Sequence, residues 1–515
     1  MKQRRCRFLT IALVGGLSAN TATFADVKLP AIFSDHMVLQ RDAIVPVWGW
    51  ADPGETVTVS IARQTNTVTA DAEGKWSVKL AKITAREPVT LTVKGKNTLK
   101  VQDVLIGEVW LASGQSNMQL PVNAVTSAWK EKASAKFPQI RMFTVARHTA
   151  VTPQTNCGGK WILCSPETVG NFSAAAYFFG RELHQTQKMP VGLINASWGG
   201  TAIEAWTSMS AQEGKKELAP VFEIWQQKTS VPYDEVKAQA QYERQMTVWT
   251  NVSEKARTDG KKQPQKPKPP VAPRLQSNHP ANLFNGMIAP LIPYAIRGGI
   301  WYQGENNAHG EFAKLYAMQL PLMIQDWRQR WNDGNFPFAW VQLPNFHKRT
   351  NDPAAPADWA VMRESMLHTL SVPNTGMAVG IDVGDPDNIH PKDKQTIGKR
   401  LSLWARAAVY GEKIPFSGPL LTSHKISDVE VTLSFDHTDG GLVAKDGELR
   451  GFAIAGADQK WVWAKARIVD NQVIVSSSDV TSPTAVRYAW ANNPDCNLYN
   501  GAGLPASPFR TDDWK

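Results

Sequence analysis

Cysteine is scarce in this chain, with four in 515 residues: Cys6, Cys157, Cys164 and Cys496. So few thiols exclude a disulfide-built scaffold and a cysteine-built metal centre. Beyond the N-terminus no apolar run approaches the about 20 residues that a membrane-crossing helix needs, which argues against a membrane span. There is no internal repeat of fixed period. Charge of one sign is also missing over most of the chain. The formal excess is +10, but Lys2, Arg4, Arg5 and Arg7 supply part of it before residue 26. A second part comes from Lys255, Arg257, Lys261, Lys262, Lys266 and Lys268, opposed there by Asp259 alone. The rest is nearly neutral, so no distributed phosphate-binding face is present and nucleic acid is not expected as a partner. Hydrophobic residues at 43% and charged residues at 20% exclude a disordered or fibrous chain.

The N-terminal charges have their own explanation. Lys2 to Arg7 form a positive region, Phe8 to Leu17 an apolar one, and Thr23-Phe24-Ala25 places small side chains at positions −3 and −1 of a cut after Ala25. This pattern predicts a secretory signal peptide over residues 1–25 and export to the periplasm or the extracellular space. Disulfides persist in such compartments, so Cys157 and Cys164 are candidates for a short loop closure, with Cys496 left free.

Residues 26–105 carry short period-two segments such as Thr56-Val57-Thr58-Val59-Ser60-Ile61, separated by turn residues such as Asp52-Pro53-Gly54. They predict a small N-terminal β-sandwich. Over 106–412 apolar strands alternate with helices, which predicts an α/β/α sandwich around a mainly parallel sheet. Ligands of such sheets lie outside the carboxyl ends of the strands. An insertion over about 211–280 interrupts the alternation, ending in the lysine- and proline-rich stretch from Lys261 to Pro270, read as an exposed mobile loop. Residues 413–515 return to β character, with a hairpin signal at Asp470-Asn471-Gln472.

Four motifs fall just after predicted strands. In Ser113-Gly114-Gln115-Ser116-Asn117-Met118 a serine sits in a sharp strand-to-helix turn, which presents its hydroxyl at the sheet edge beside its own backbone N–H. In Asp387-Asn388-Ile389-His390-Pro391, Asp387 stands three positions before His390, a spacing that can bring a carboxylate to Nδ1 and leave Nε2 to take a proton. Ser197-Trp198-Gly199-Gly200-Thr201 and Trp301-Tyr302-Gln303-Gly304-Glu305-Asn306 offer glycine backbones and side-chain amides, the donors that an oxyanion needs. Ser197 is a rival nucleophile with no acid or histidine near it in sequence. Trp198 and Trp301 adjoin these motifs and are candidates for stacking on a sugar ring.

Gly-Gln-Ser-Asn-Met, Trp-Gly-Gly-Thr, Trp-Tyr-Gln-Gly-Glu and Asp-x-x-His, in this order, resemble the sialate O-acetylesterase family within the SGNH hydrolases. The likeness runs from about Phe33 to Arg510. It implies a flavodoxin-like catalytic domain flanked by β-rich regions, and a serine esterase that removes acetyl groups from sugars with neither metal nor cofactor. Position by position it makes Ser116 the nucleophile, His390 the base and Asp387 its orienting partner. Oxyanion donors would be the Ser116 N–H, a backbone N–H of Gly199 or Gly200, and the side-chain amide of Gln303 or Asn306. Gln303 is favoured because relatives with Gln-Gly-Glu use the glutamine, although Gly304-Glu305-Asn306 satisfies the wider Gly-x-Asn pattern. Glu305 would pair with groups behind the site or hold the turn. The same chemistry on acetylated xylan or another polysaccharide stays open, as do a non-catalytic glycan-binding module and, more remotely, a peptidase. The sequence does not separate them.

Overall fold

The computed structural model describes residues 26–514. The signal peptide expected over 1–25, Cys6 included, lies outside them. The centre of the molecule is a sheet whose inner strands are buried along their whole length: Val191–Ser197, Gly298–Tyr302 and Phe338–Gln342. Continuous burial means apolar contact on both faces, which is why these segments read as uninterrupted apolar runs rather than alternating ones. Across the sheet the order is Thr375–Val379, Phe338–Gln342, Gly298–Tyr302, Thr98–Gly114, Val191–Ser197, Phe137–Thr144 and Trp161–Cys164. Every pairing is parallel except the last, at the Trp161–Cys164 edge.

Period-two side-chain alternation divides the interior between two cores. Val109, Leu111 and Trp301 face one core with Met323, Trp327 and Met362, residues of the helices Gly310–Trp331 and Asp358–His368. Trp110, Ala112, Ile300 and Tyr302 face the other with Phe178, Ile397 and Leu401, from the helices Ala174–Gln187 and Lys394–Trp404. The helix Ala174–Gln187 begins where Ser173 Oγ accepts from the Ala176 N–H, and Lys394–Trp404 begins where Asp393 accepts from the Thr396 N–H. The expected α/β sandwich with a mainly parallel sheet is present.

The N-terminal region is β-rich and antiparallel in its main pairings. Thr56–Ile61 pairs with Gln64–Thr69 and with Val89–Lys94, while Val45–Trp50 pairs with Lys75–Leu80. Its sheet is continuous with the central one. Thr98–Gly114 is a single 17-residue strand that pairs antiparallel with Val89–Lys94 near its start and parallel with its catalytic-sheet neighbours near its end. The C-terminal region carries further sheets, including a four-stranded one built on Leu420–Ser427, Glu430–Asp436, Gln472–Ser476 and Lys465–Val469, over a third core. The hairpin anticipated there forms: Val469 pairs with Gln472, and the two turn residues Asp470 and Asn471 have φ of 46° and 64°. Two positive φ values are what a two-residue turn needs to match strand twist.

The inserted stretch contains the helices Ala219–Ser230 and Glu235–Thr258, the latter with Ser253 as its one buried residue. The lysine- and proline-rich segment after it is exposed and folds back on the helix, where Trp249 Nε1 donates to Pro264 O at 2.9 Å. Among the described residues no helix is long and apolar enough to cross a membrane. The disulfide considered for Cys157 and Cys164 is not formed. The two thiols belong to separate hydrophobic cores, and burial pushes them up to about 11 and about 12. Cys496 is also a free thiol.

Candidate active site

Three adjacent central strands end level with one another. Gly114 is in register with Ser197 on one side and with Tyr302 on the other. The segments that continue from these ends, 115–119, 198–201 and 303–307, therefore emerge side by side. This is also where the strand order reverses direction, the customary ligand position in such sheets. Gly114 adopts φ of +136°, and a Cβ there would lie 2.2 Å from Tyr302 O, so only glycine lets the chain turn here. Ser116 follows as the first residue of the short helix Ser116–Gln119. It is partly exposed, and neither its hydroxyl nor its backbone N–H has a protein partner among the described residues. A Cβ added to Gly199 would lie 3.2 Å from Ser116 Cβ, which places the second motif directly against the serine.

Side-chain amides hold these turns. Gln115 Oε1 accepts from the Asn306 N–H at 3.2 Å, and Gln119 Oε1 from the Gly199 N–H at 2.7 Å. Gln303 is fully buried. Its Nε2 donates to Thr201 O at 3.0 Å and Asn307 Oδ1 at 2.8 Å, and its Oε1 accepts from the Tyr316 hydroxyl at 2.8 Å. Asn307 donates in turn to Glu204, whose carboxyl is raised above the usual range by burial.

The expected donors thus fall into two groups. Both Gln303 amide hydrogens are used in tying 198–201 to 303–307, and the Gly199 N–H is taken by Gln119. The Ser116 N–H, the Gly200 N–H and the partly exposed Asn306 side-chain amide have no acceptor among the described residues. Ser197, the rival nucleophile, is buried and donates to Asn195 Oδ1 at 2.7 Å. Trp301 has no exposed surface. It packs edge-on against Trp206 and Trp327 with its Nε1 on the Tyr316 hydroxyl, so it is a core residue, and the sugar-stacking expectation passes to Trp198 alone. Trp198 is partly exposed, with the Arg147 guanidinium 5.6 Å from its ring centre.

The loop that carries His390 is tied to this group through its backbone. Asn117 Nδ2 donates to Ile389 O at 3.0 Å, which joins the residue after Ser116 to the residue before His390. The Thr126 N–H donates to Lys392 O at 3.1 Å and secures the far side of the loop. Local turns shape the loop itself: Asn388 Oδ1 accepts from the His390 N–H at 3.0 Å, and Asp385 Oδ1 from the Asp387 N–H at 2.9 Å. The His390 imidazole is held below its ordinary value, first by burial and then by the positive charge of Lys394. Asp387 is exposed, and no hydrogen bond or ion pair joins it to His390.

Behind the serine lies a polar cluster that sequence reasoning identified only in part. Glu305 accepts from Asn117 Nδ2, and Lys394 Nζ donates to Asn117 Oδ1 at 2.6 Å. Burial raises the Glu305 carboxyl and pushes the Lys394 ammonium down to about 7. Glu305 was anticipated as a supporting residue. Gln115, Asn117, Gln119 and Lys394 were not given a role, although the first three are in or next to the Gly-Gln-Ser-Asn-Met motif. Among the described residues no cluster of histidine, cysteine, aspartate and glutamate is arranged to hold a metal ion.

Comparison with known proteins gives the family. A family model for carbohydrate esterases, the sialic acid-specific acetylesterases, matches residues 106–246 and 279–405. The sialate O-acetylesterase of Mus musculus is 31% identical over 546 residues, covering 94% of this chain and 94% of that protein. The Homo sapiens sialate O-acetylesterase is 31% identical over 528 residues, covering 94% and 92%. A carbohydrate acetylesterase of Xanthomonas citri, known from a crystal structure, superimposes with a TM-score of 0.80 at 37% identity, over 95% of this chain and 100% of that one.

Proposed function

This chain belongs to the sialic acid-specific acetylesterase family of carbohydrate esterases, and from that premise we propose how its own residues carry out the reaction. It is a carboxylic ester hydrolase acting on acetylated carbohydrate, and the substrate that its relatives favour is an O-acetylated sialic acid. Ser116 is the nucleophile and His390 the general base. The imidazole takes the hydroxyl proton as Ser116 attacks the acetyl carbonyl, then returns it to the departing sugar hydroxyl. Water repeats the cycle on the acetyl-enzyme and releases acetate. The Ser116 N–H, the Gly200 N–H and Asn306 Nδ2 stabilise the tetrahedral oxyanion, since these three are unengaged while Gln303 and the Gly199 N–H are occupied. Asp387 is the carboxylate that turns onto His390 Nδ1 when substrate enters, because hydrogen bonds of this kind often tighten only in the complex. Trp198 offers its indole face to the sugar.

The observation that carries this reading is the Asn117-to-Ile389 hydrogen bond, which joins the neighbours of nucleophile and base across the fold. Acetate release from 9-O-acetyl sialic acid beside acetylated xylan tests it. The wild type is expected to deacetylate the sialic acid. Ser116→Ala should lose at least about 10³-fold in rate with an unchanged circular dichroism spectrum. Normal turnover by that variant would remove Ser116 from the mechanism, and activity confined to xylan would replace the substrate. The same reading takes 1–25 as a cleaved export signal, 26–105 as an N-terminal β-sandwich, 106–412 as the catalytic domain with its insertion at about 211–280, and 413–515 as a C-terminal β region. The working compartment would be the periplasm or the extracellular space.

A further inference from the structure

Lys394 is the first residue of its helix and has no exposed surface. A lysine there loses its hydration, which has to be offset by groups around it. Those groups are few. The ammonium donates to Asn117 Oδ1 at 2.6 Å and lies 4.8 Å from the centre of the Tyr302 ring. The carboxylates that act on it are Glu305 and the adjoining Asp393, and its charge acts in turn on His390, four residues earlier in the preceding loop. Glu305 is half-buried, but its Oε2 is enclosed and has no partner among the described residues.

Between the two charged side chains stands Asn117, fully buried, with its oxygen on the lysine and its nitrogen on the glutamate. Such an amide has one orientation. Turned over, it would set NH2 against the ammonium and its oxygen against the carboxylate. The fixed nitrogen is also the donor to Ile389 O.

We propose that Lys394 and Glu305 are a positioning pair, which locks the Asn117 amide so that it clamps the histidine loop to the nucleophile turn. Neither side chain is placed to touch substrate; both act through Asn117. The lysine has a second effect, on the imidazole itself. Its positive charge adds to burial in keeping His390 neutral, and the neutral ring is the form that accepts the serine proton. Removing the charge should therefore raise the His390 pKa, and the acid limb of activity should move to higher pH. The inference rests on the Ser116 and His390 assignments made above.

The test uses the full chain with Lys394→Met, Lys394→Gln, Glu305→Gln and Ser116→Ala, assayed by acetate release between pH 4.5 and 8.5. Lys394→Met should lower kcat on the order of 10- to 100-fold while KM stays within about twofold, because a misplaced base costs rate rather than binding. Lys394→Gln restores a neutral donor to Asn117, so it should recover part of kcat while keeping the displaced acid limb. That split separates the hydrogen bond from the charge, which a merely structural lysine would not do. Glu305→Gln should lower kcat about fivefold or more at unchanged KM, and it carries the test if both lysine variants fail to fold. Folded variants with wild-type kcat and an unmoved acid limb would overturn the proposal, as would a rise in KM at constant kcat. An active Ser116→Ala variant would instead overturn the underlying assignment, a result the lysine variants alone cannot produce.

Discussion

The proposed nucleophile side of the site and the proposed base side are built differently. Ser116 sits between three strand ends in common register, against turns held by the side-chain amides of Gln115, Gln119, Gln303 and Asn307. His390 lies in a loop of local turns whose acidic residues are exposed, and its docking depends on Asn117 and on the Thr126 contact. In the first half the turns are already tied to one another, whereas in the second no carboxylate is yet bonded to the imidazole. Oxyanion donors gain from being fixed in advance, because reorganising them during the reaction would cost part of the stabilisation they give.

The largest effect expected from this contrast is on the histidine. His390→Ala should cost about 10³-fold or more in kcat. In the wild type, kcat/KM should fall as pH drops through the imidazole pKa, since the neutral form is the base. That pKa is held below the ordinary 6.5, so the midpoint of the limb should lie below 6.5 as well. A midpoint above it would mean that the surroundings of His390 have been misread. Next comes Asp387→Asn, expected to cost on the order of 10²-fold in kcat even though the free enzyme shows no bond for it to break. A loss under about threefold would leave a serine–histidine pair working without a carboxylate, and the contrast would narrow. Smallest is Asn306→Ala, which should cost about 10-fold to 10²-fold in kcat with KM little changed, the usual mark of a lost oxyanion donor. If that variant is unaffected, the donor set drawn here is incomplete.

Much of this was visible in the sequence because strand ends announce themselves. Apolar runs that stop at Ser-Gly, Ser-Trp-Gly-Gly and Gln-Gly-Glu mark where a parallel sheet exposes its carboxyl edge, and the two-residue turn at Asp470-Asn471 is set by local chemistry. What escaped depends on partners distant in the chain. Whether Gln303 or Asn306 is free to donate is decided by Thr201, Asn307 and Tyr316, none of which the motif itself contains. Trp301 was expected near sugar because it borders a motif. It lies within a strand covered on both faces, so either orientation would have put it in a core. The Cys157 and Cys164 spacing was equally blind to the sheet that separates their surroundings. Lys394 gave no signal, since a lysine in the first turn of a helix reads as an ordinary surface charge until its burial is seen.

The unbroken strand from Thr98 to Gly114 has a consequence for how this enzyme can be shortened or spliced. Its early residues zip to the leading hairpins and its last residue sets the level of the catalytic turn. A truncation made just ahead of the family-matched segment would cut through this tie-rod, removing the support of the central plank along with the unit meant to be discarded. Engineers seeking a minimal deacetylase from this scaffold would do better to trim the exposed helix Glu235–Thr258 and the lysine- and proline-rich segment after it, and leave the leading strands attached.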